Sequence, residues 1–491
     1  MIKYTPVLNQ FLNGKSFNGE GQEHEIINPF DNTVICKIKS ASEQQVDEAI
    51  NNAHKTFQGS AWKKILGRER GEMLHNLSKI VKRDVEKFAH LESIDTGIPI
   101  RETRMEISTS ALHFEYFAGH AGKIEGSYQD LGSRFNSVVR EPYGVIGQIV
   151  PWNTPFKLMA RGFAAAFACG NTMVIKPSIV APLSILALGE ALNEAGFPSG
   201  SINIVTGSGR VTGKQIVEHG LIRKIIFTGG GEGGFEILKQ TAKNVTPSVL
   251  ELGGKGPIIV TDNIDYEETL DGVLTQAFAR KAEVCFAGTR LFLPSKLHDK
   301  FIEDLSKKAN KIPMGNPLDD ATQLGPLMTK KRAEDISKIV DEARNEGANI
   351  VCGGKKPTSD NLAQGNFYPP TIVTNIDHNS NIAQEEIFGP VLAVFKYDDL
   401  NDAVTKANDS DFGLASYVWS NDIRQSYDLA QRIESGNVFI NSYGYQSEIP
   451  FGGYKKSGVG REHGSEAMLE YTQSKSITVG MCRFQSRFDL D

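Results

Sequence analysis

Across residues 145–252, short β-branched runs alternate with helical ones, and this alternation limits the fold more than any other feature. The runs VIGQIV, NTMVIKP, SINIVTG, RKIIFTG and PSVLEL have the length and residue types of buried strands. Helical patterns lie between them near residues 157–168, 182–195, 211–219 and 232–242. Gly196 followed by Pro198 is a helix stop. Such alternation predicts a parallel, doubly wound, Rossmann-like sheet, which binds ligands at the carboxyl ends of its strands. Lys176 and Thr228 fall at two of those ends.

A second α/β pattern runs from 256 to 442, through GPIIVTD, TRLFLP, ANIVCGG, FYPPTIVT, GPVLAVFKY, LASYVWS and GNVFINS. Helices near 266–280, 297–310, 330–347 and 423–433 separate several of these. Before the first pattern lie an alternating arm (residues 1–45) and a helical stretch (42–122), which Ser42 is placed to cap. Residues 123–142 are polar and extended, and YTQSKSITV near the end reads as one more polar strand.

The net charge of −6 argues against nucleic acid or an anionic membrane as partner. There is no apolar run long enough to span a bilayer, and MIKYTPVLNQFLNGKSF lacks a signal-peptide pattern. The five cysteines are scattered, without CxxC, which fits a reducing cytoplasm. The ten histidines show no metal-binding spacing, so no metal site is expected.

Residues 278–290, FARKAEVCFAGTR, read as a helix running out into a loop that presents Cys285. A thiolate attacks carbonyl carbons well, yet a lone cysteine is more often a buried structural residue. Its company changes that balance: PWNTP with Asn153, ELGGK with Glu251, EEIFGP with Glu386, and PFGGYKKSGVGRE ending at Glu462. This set, in this order and spread over nearly the whole chain, resembles the aldehyde dehydrogenase superfamily. The resemblance implies oxidation of a small aldehyde to its acid with NAD or NADP, through a thioester on Cys285.

It also implies the division of the chain. Residues 1–122 and 143–254 would form the cofactor domain and 255–445 the catalytic α/β domain. Residues 446–470 would return to the cofactor domain. Residues 123–142 and 471–491 would form a small β arm joining subunits of a homodimer or homotetramer.

The chemistry assigns roles within the resemblance. Cys285 is the nucleophile, Glu251 the base that activates water for hydrolysis, and Asn153 with the Cys285 backbone N–H the oxyanion donors. Alone, Asn153 reads as a turn residue between Trp152 and Pro155. Lys176 matches the contact to the adenosine ribose, and Glu386, followed by Phe388, the carboxylate on the nicotinamide ribose. Trp152 and Phe451 shape the cofactor and substrate cavities. GGGEGG (229–234) formally matches GxGxxG, with Glu251 at the spacing of a ribose-binding acid. Glu251 belongs to ELGGK instead, and Gly229 and Gly230 are read as the turn approaching the pyrophosphate.

Several positions depart from the family pattern. Gly230 stands where a serine is usual. Ile179 replaces a glutamate that accepts from the adenosine ribose and repels a 2′-phosphate, so NADP is expected to be tolerated. Arg280, Ala282 and Glu283 replace Asn, Gly and Gln. Glu462 matches a glutamate of a proton relay, but its lysine partner would fall at Gly162. Arg161 occupies a position often held by tryptophan and shares a helix face with Lys157. Either these cations border the substrate and favour an acidic aldehyde, or they reach solvent or pair with an acid such as Glu462. Three rivals remain: a cysteine hydrolase, for which no histidine motif is visible; a catalytically idle family member; and a dehydrogenase passing the acyl group to coenzyme A.

Overall fold

The structure is a computed structural model and describes residues 4–488. Five parallel strands form the middle of an eight-stranded sheet: Val145–Ile149, Thr172–Lys176, Ile202–Ile204, Ile222–Thr228 and Ser248–Glu251. Numbered in chain order, they lie 3-2-1-4-5 across the sheet. The order reverses between Val145–Ile149 and Ile222–Thr228, which opens the crevice where doubly wound sheets take their ligands. All five are almost wholly buried, as continuous Val/Ile-rich runs require when helices cover both faces.

The edges of this sheet come from far away in the chain. Gln10–Leu12 pairs antiparallel beside Ile202–Ile204, and Lys15–Phe17 pairs beside it. Gly458–Val459 pairs antiparallel with Ser248–Glu251 on the other side. The terminal segment after residue 446 therefore comes back to the first sheet. The helices Gly67–Arg83, Val85–Thr96 and Ile100–His120 pack with Pro155–Ala168 into one apolar core. Ser42 caps the helix Glu43–Gln58 through a reciprocal bond with Gln45.

The second sheet has seven strands in the order Asn349–Cys352, Thr371–Thr374, Val391–Tyr397, Gly288–Pro294, Gly256–Val260, Ala415–Trp419 and Asn437–Ile440. All neighbours are parallel except the first pair. The short helix Leu400–Asn408, which the alternation pattern did not single out, packs its Ala403, Val404 and Ala407 under this sheet.

A three-stranded antiparallel ribbon stands apart. Arg134–Pro142 is paired with Ser127–Asp130 on one side and with Thr472–Gly480 on the other, the latter over nine residue pairs. The tail strand is exposed except at Thr472, and Tyr128, Ile477, Val479, Met481, Phe484 and Phe488 present apolar surface. Residues 489–491 of the tail lie outside the described residues.

Candidate active site

The carboxyl ends of the first sheet bring most of the motif residues together. Asn153 follows Val145–Ile149, Lys176 ends its strand, Gly229 and Gly230 follow Ile222–Thr228, and Glu251 ends the fifth strand. The loops of the second sheet then cover this edge, adding Cys285 before Gly288–Pro294 and Glu386 before Val391–Tyr397.

A pocket of about 380 Å³ results, with Cys285 on its wall beside Trp152, Asn153, Gly229, Gly230, Glu386 and Phe388. The cysteine is half-buried. Glu386 is held by the backbone N–H of Gly254 at 2.9 Å, and burial pushes its carboxyl above the ordinary range. The edge of Trp152 meets Phe388, with ring centres 5.5 Å apart. Arg332, which no motif flagged, lies over both rings and donates to the carbonyls of Ile387 and Phe388.

A second cavity of about 690 Å³ lies on the other side of the helix Gly231–Ala242, lined by Ser208, Arg210, Gly213, Lys214, Gly233 and Glu236 among others. That helix begins at Gly230 without a side-chain cap, so its first N–H groups are free for an anion. The two cavities and the open helix start fit a dinucleotide laid across the sheet edge. Lys176 sits behind this cavity rather than in it. Its ammonium donates to the carbonyls of Pro177 and Gly207 at 3.0 Å, and burial lowers it to about 8. Ile179 is half-buried against the core of the first domain.

The segment before Cys285 is unlike the expected helix-to-loop run. The helix Tyr266–Phe278 stops, and Arg280, Lys281 and Ala282 all adopt left-handed backbone, with φ of 52°, 63° and 53°. Three successive non-glycine residues in this region cost about 1–2 kcal/mol each. Ion pairs and hydrogen bonds fix the turn. Arg280 pairs with Glu106 at 2.6 Å and reaches the Tyr443 hydroxyl at 3.2 Å. Lys281 pairs with Glu283 at 2.8 Å and donates to the carbonyl of Thr96 at 2.7 Å. Glu283 accepts in addition from the backbone N–H of Met328. The Asn153 amide donates to the carbonyl of Glu283 at 3.0 Å, which ties the turn of the first sheet to the cysteine loop.

Glu251 does not line the pocket. It is buried behind it with neither carboxylate oxygen hydrogen-bonded. Burial raises its carboxyl well above the ordinary range, with Arg161 opposing and Glu462 adding to the rise. Arg161 is turned to Glu462, and both side chains are buried. Its guanidinium also donates to Thr228 at 3.2 Å and lies over the ring of Phe451. This corrects the reading of Arg161 as a substrate contact: an acid already holds it, because a cation buried here without one would be too costly. The cation beside Glu462 thus comes from Arg161, one residue before the glycine where the family pattern puts it. Phe451 is fully buried, and its backbone exchanges hydrogen bonds with that of Glu462 at 2.7 and 2.8 Å.

Burial pushes the Cys285 thiol up to about 12, with Arg161 pulling it down, Glu251 and Glu386 pushing it up, and Arg280 pulling it down. Cys285, the carboxylates of Glu251 and Glu386 and the guanidiniums of Arg161 and Arg280 form one electrostatic unit. Glu106 pairs with Arg280, and Arg332 lies beside Glu386; neither carries a motif, and only their position in the fold identifies them.

The profile of the aldehyde dehydrogenase family matches residues 17–477. Betaine aldehyde dehydrogenase of Bacillus subtilis (strain 168) is 37% identical over 471 residues, which is 95% of this chain and 96% of that one. 4-Trimethylaminobutyraldehyde dehydrogenase B of Danio rerio is 35% identical over 467 residues, covering 94% and 90%. Among solved structures, betaine aldehyde dehydrogenase of Staphylococcus aureus in complex with NAD+ superposes with a TM-score of 0.97 at 35% identity, covering 100% of this chain and 98% of that one.

Proposed function

The chain belongs to the aldehyde dehydrogenase family, whose members oxidise aldehydes, and on that premise we propose that Cys285 carries the substrate as a thioester hydrolysed by a Glu251-activated water. The observation that supports this most is the half-buried Cys285 on a pocket wall with Asn153 and Glu386, backed by a buried, unpartnered Glu251.

The Cys285 thiol gives its proton to solvent and adds as the thiolate to the aldehyde carbon, and the former carbonyl oxygen takes the negative charge. The Asn153 amide has a second N–H beyond the one given to Glu283, and this with the Cys285 backbone N–H stabilises the oxyanion. A bound nicotinamide cofactor would supply the oxidant, as acceptor of the hydride released when the oxyanion re-forms its carbon–oxygen double bond and leaves a thioester on Cys285. Glu386 would hold the nicotinamide ribose, Gly229 and Gly230 the pyrophosphate, and Trp152 and Phe388 the walls around them. Glu251 then removes a proton from water attacking the thioester carbon, and the Cys285 thiolate leaves. Burial without a hydrogen-bond partner raises its proton affinity, which is the direction a general base needs. Glu462, paired with Arg161, accepts from the Tyr471 hydroxyl at 3.5 Å, and we assign it the next place in a proton relay from Glu251.

For the cofactor, NAD is the first expectation, since similar structures hold NAD+. Tolerance of NADP is the second part of the proposal. Ile179 brings no carboxylate to repel a 2′-phosphate, and Arg210 lines the adenosine-side cavity. We assign 1–122 and 143–254 to the cofactor domain and 255–445 to the catalytic domain, a division that the two separate sheets support. The exposed apolar ribbon of Arg134–Pro142 and Thr472–Gly480 fits an interface between copies in a homodimer or homotetramer. Five free thiols suit a cytoplasmic setting.

Rapid mixing with an aldehyde tests the mechanism. Cys285→Ala should give no reduced cofactor. Glu251→Gln should give one burst followed by slow turnover. Full steady-state rates in either variant would reject the assignment. Light scattering showing a stable monomer at micromolar concentration would reject the assembly.

A further inference from the structure

The turn that delivers Cys285 has no reason of its own to be left-handed. Arg280, Lys281 and Ala282 occupy a backbone region that glycine enters freely and asparagine tolerates. The bonds that hold it there come from elements packed around the first sheet. The helix Ile100–His120 carries Glu102 and Glu106 four positions apart, on one face. Glu102 accepts from the backbone N–H of Arg280 at 3.3 Å, and Glu106 pairs with its guanidinium at 2.6 Å. The carbonyl of Thr96, at the end of the preceding helix, takes the Lys281 ammonium. The Asn153 amide takes the carbonyl of Glu283.

Glu106 is the centre of this clamp. Its other carboxylate oxygen pairs with Lys157 at 2.7 Å, and all three side chains are buried. Burial works against its charge, but Lys157 and Arg280 hold it below the ordinary carboxylate range. Burial pushes the neighbouring acids Glu92 and Glu102 up to about 7, and Glu106 adds to the rise in both. Glu106 is thus the acid of the three that is held ionised against Arg280. Seated by that pair, the guanidinium lies 5.0 Å from the ring centre of Phe286, the residue after Cys285, and reaches the Tyr443 hydroxyl. Arg280 therefore fixes the chain on both sides of the nucleophile.

We propose that Glu106 is a positioning residue for the reaction: through Arg280 it holds the left-handed turn, and so sets how the Cys285 sulfur and the Asn153 amide stand to the substrate carbonyl. This rests on Cys285 being the nucleophile. Glu106 is not among the residues on the wall of the cysteine pocket and does no chemistry itself. Without the pair the turn relaxes, and a misplacement of about 1 Å at the reacting atoms costs about a hundredfold in rate.

The test combines the burst of reduced cofactor, from butanal and saturating NAD, with NADH affinity from fluorescence titration. Glu106→Gln should slow the burst at least about tenfold and leave the NADH Kd within about twofold. The variant should fold, because Glu92 and Glu102 ionise more readily once Glu106 is neutral. Arg280→Asn with Ala282→Gly gives a turn that is left-handed by its own residues. In that background Glu106→Gln should slow the burst less than about threefold, although Lys157 still loses its partner. A smaller effect in the unaltered turn, an NADH Kd that moves with the burst, or an equal effect in both backgrounds overturns the proposal. Should Glu106→Gln not fold, Arg280→Gln breaks the same pair from the other side, with the same burst and Kd expected and the same failures decisive. No burst from the unaltered enzyme would sink the nucleophile reading itself, and the proposal with it.

Discussion

Arg161 and Glu462 form an ion pair in which both side chains are almost wholly out of solvent, 1% and 2% exposed. Glu251 adds a second carboxylate to the same guanidinium. Arg161→Leu would leave Glu462 without its paired cation and Glu251 with only Arg461 to oppose its burial. Breaking one side of such a pair costs about 3–5 kcal/mol. Chemical denaturation should show a loss of that size, and the deacylation rate should fall because Glu251 then holds its proton more tightly. A loss below about 1 kcal/mol would mean that the pair contributes little.

The pH dependence of Cys285 follows from its burial, which raises the thiol to about 12. Only the thiolate alkylates, so its fraction keeps rising through the alkaline range. Without cofactor or substrate, iodoacetamide labelling of Cys285 should accelerate about tenfold per unit between about pH 7 and 10. Cys285→Ser, which retains the other four thiols, supplies the background. A plateau near the ordinary thiol value would show that the thiol is not raised.

The left-handed turn makes a prediction about backbone strain. Ala282 has φ of 53°, where a Cβ is penalised and glycine is not. Ala282→Gly should stabilise the protein by about 1 kcal/mol, less what glycine loses in the unfolded chain. A raised melting temperature is the expected reading, and a lowered one would show that the turn is unstrained. Here Arg280 and Lys281 hold it by charge.

Cofactor choice turns on Ile179. Ile179→Glu places a charged acceptor where the adenosine ribose is expected, worth about 1.5–3 kcal/mol toward NAD. The ratio of kcat/KM for NAD over NADP should therefore rise at least about tenfold. An unchanged ratio would remove Ile179 from the cofactor site.

The sequence by itself determined the two α/β units and the chain order of their strands, because β-branched runs between helical periods have few other stable arrangements. It also picked out Cys285, Glu251, Asn153 and Glu386, whose motifs lie at strand ends and loops. The geometry of the cysteine loop was not legible. A helical pattern leads into it, and only tertiary bonds from Arg280 to Glu106 and from Lys281 to Thr96 hold it left-handed instead. Ile179 was read as facing cofactor; it is half-buried, with part of its surface against the core around the first sheet, and Ile179→Glu tests whether the rest meets the cofactor.

Charge pairing was decided by tertiary structure alone. Glu106 sits on a helix far from any motif, and Arg161 and Glu462 are three hundred and one positions apart in the chain. A side chain's worth as a charge depends on what is buried beside it, and that is set by packing, not by neighbours in sequence. Whether Lys157 and Arg161 reached solvent, met an acid or faced a substrate was open on the helix pattern. In the folded chain each meets an acid, and Arg280, which precedes a strand of the second sheet, comes in to share Glu106 with Lys157.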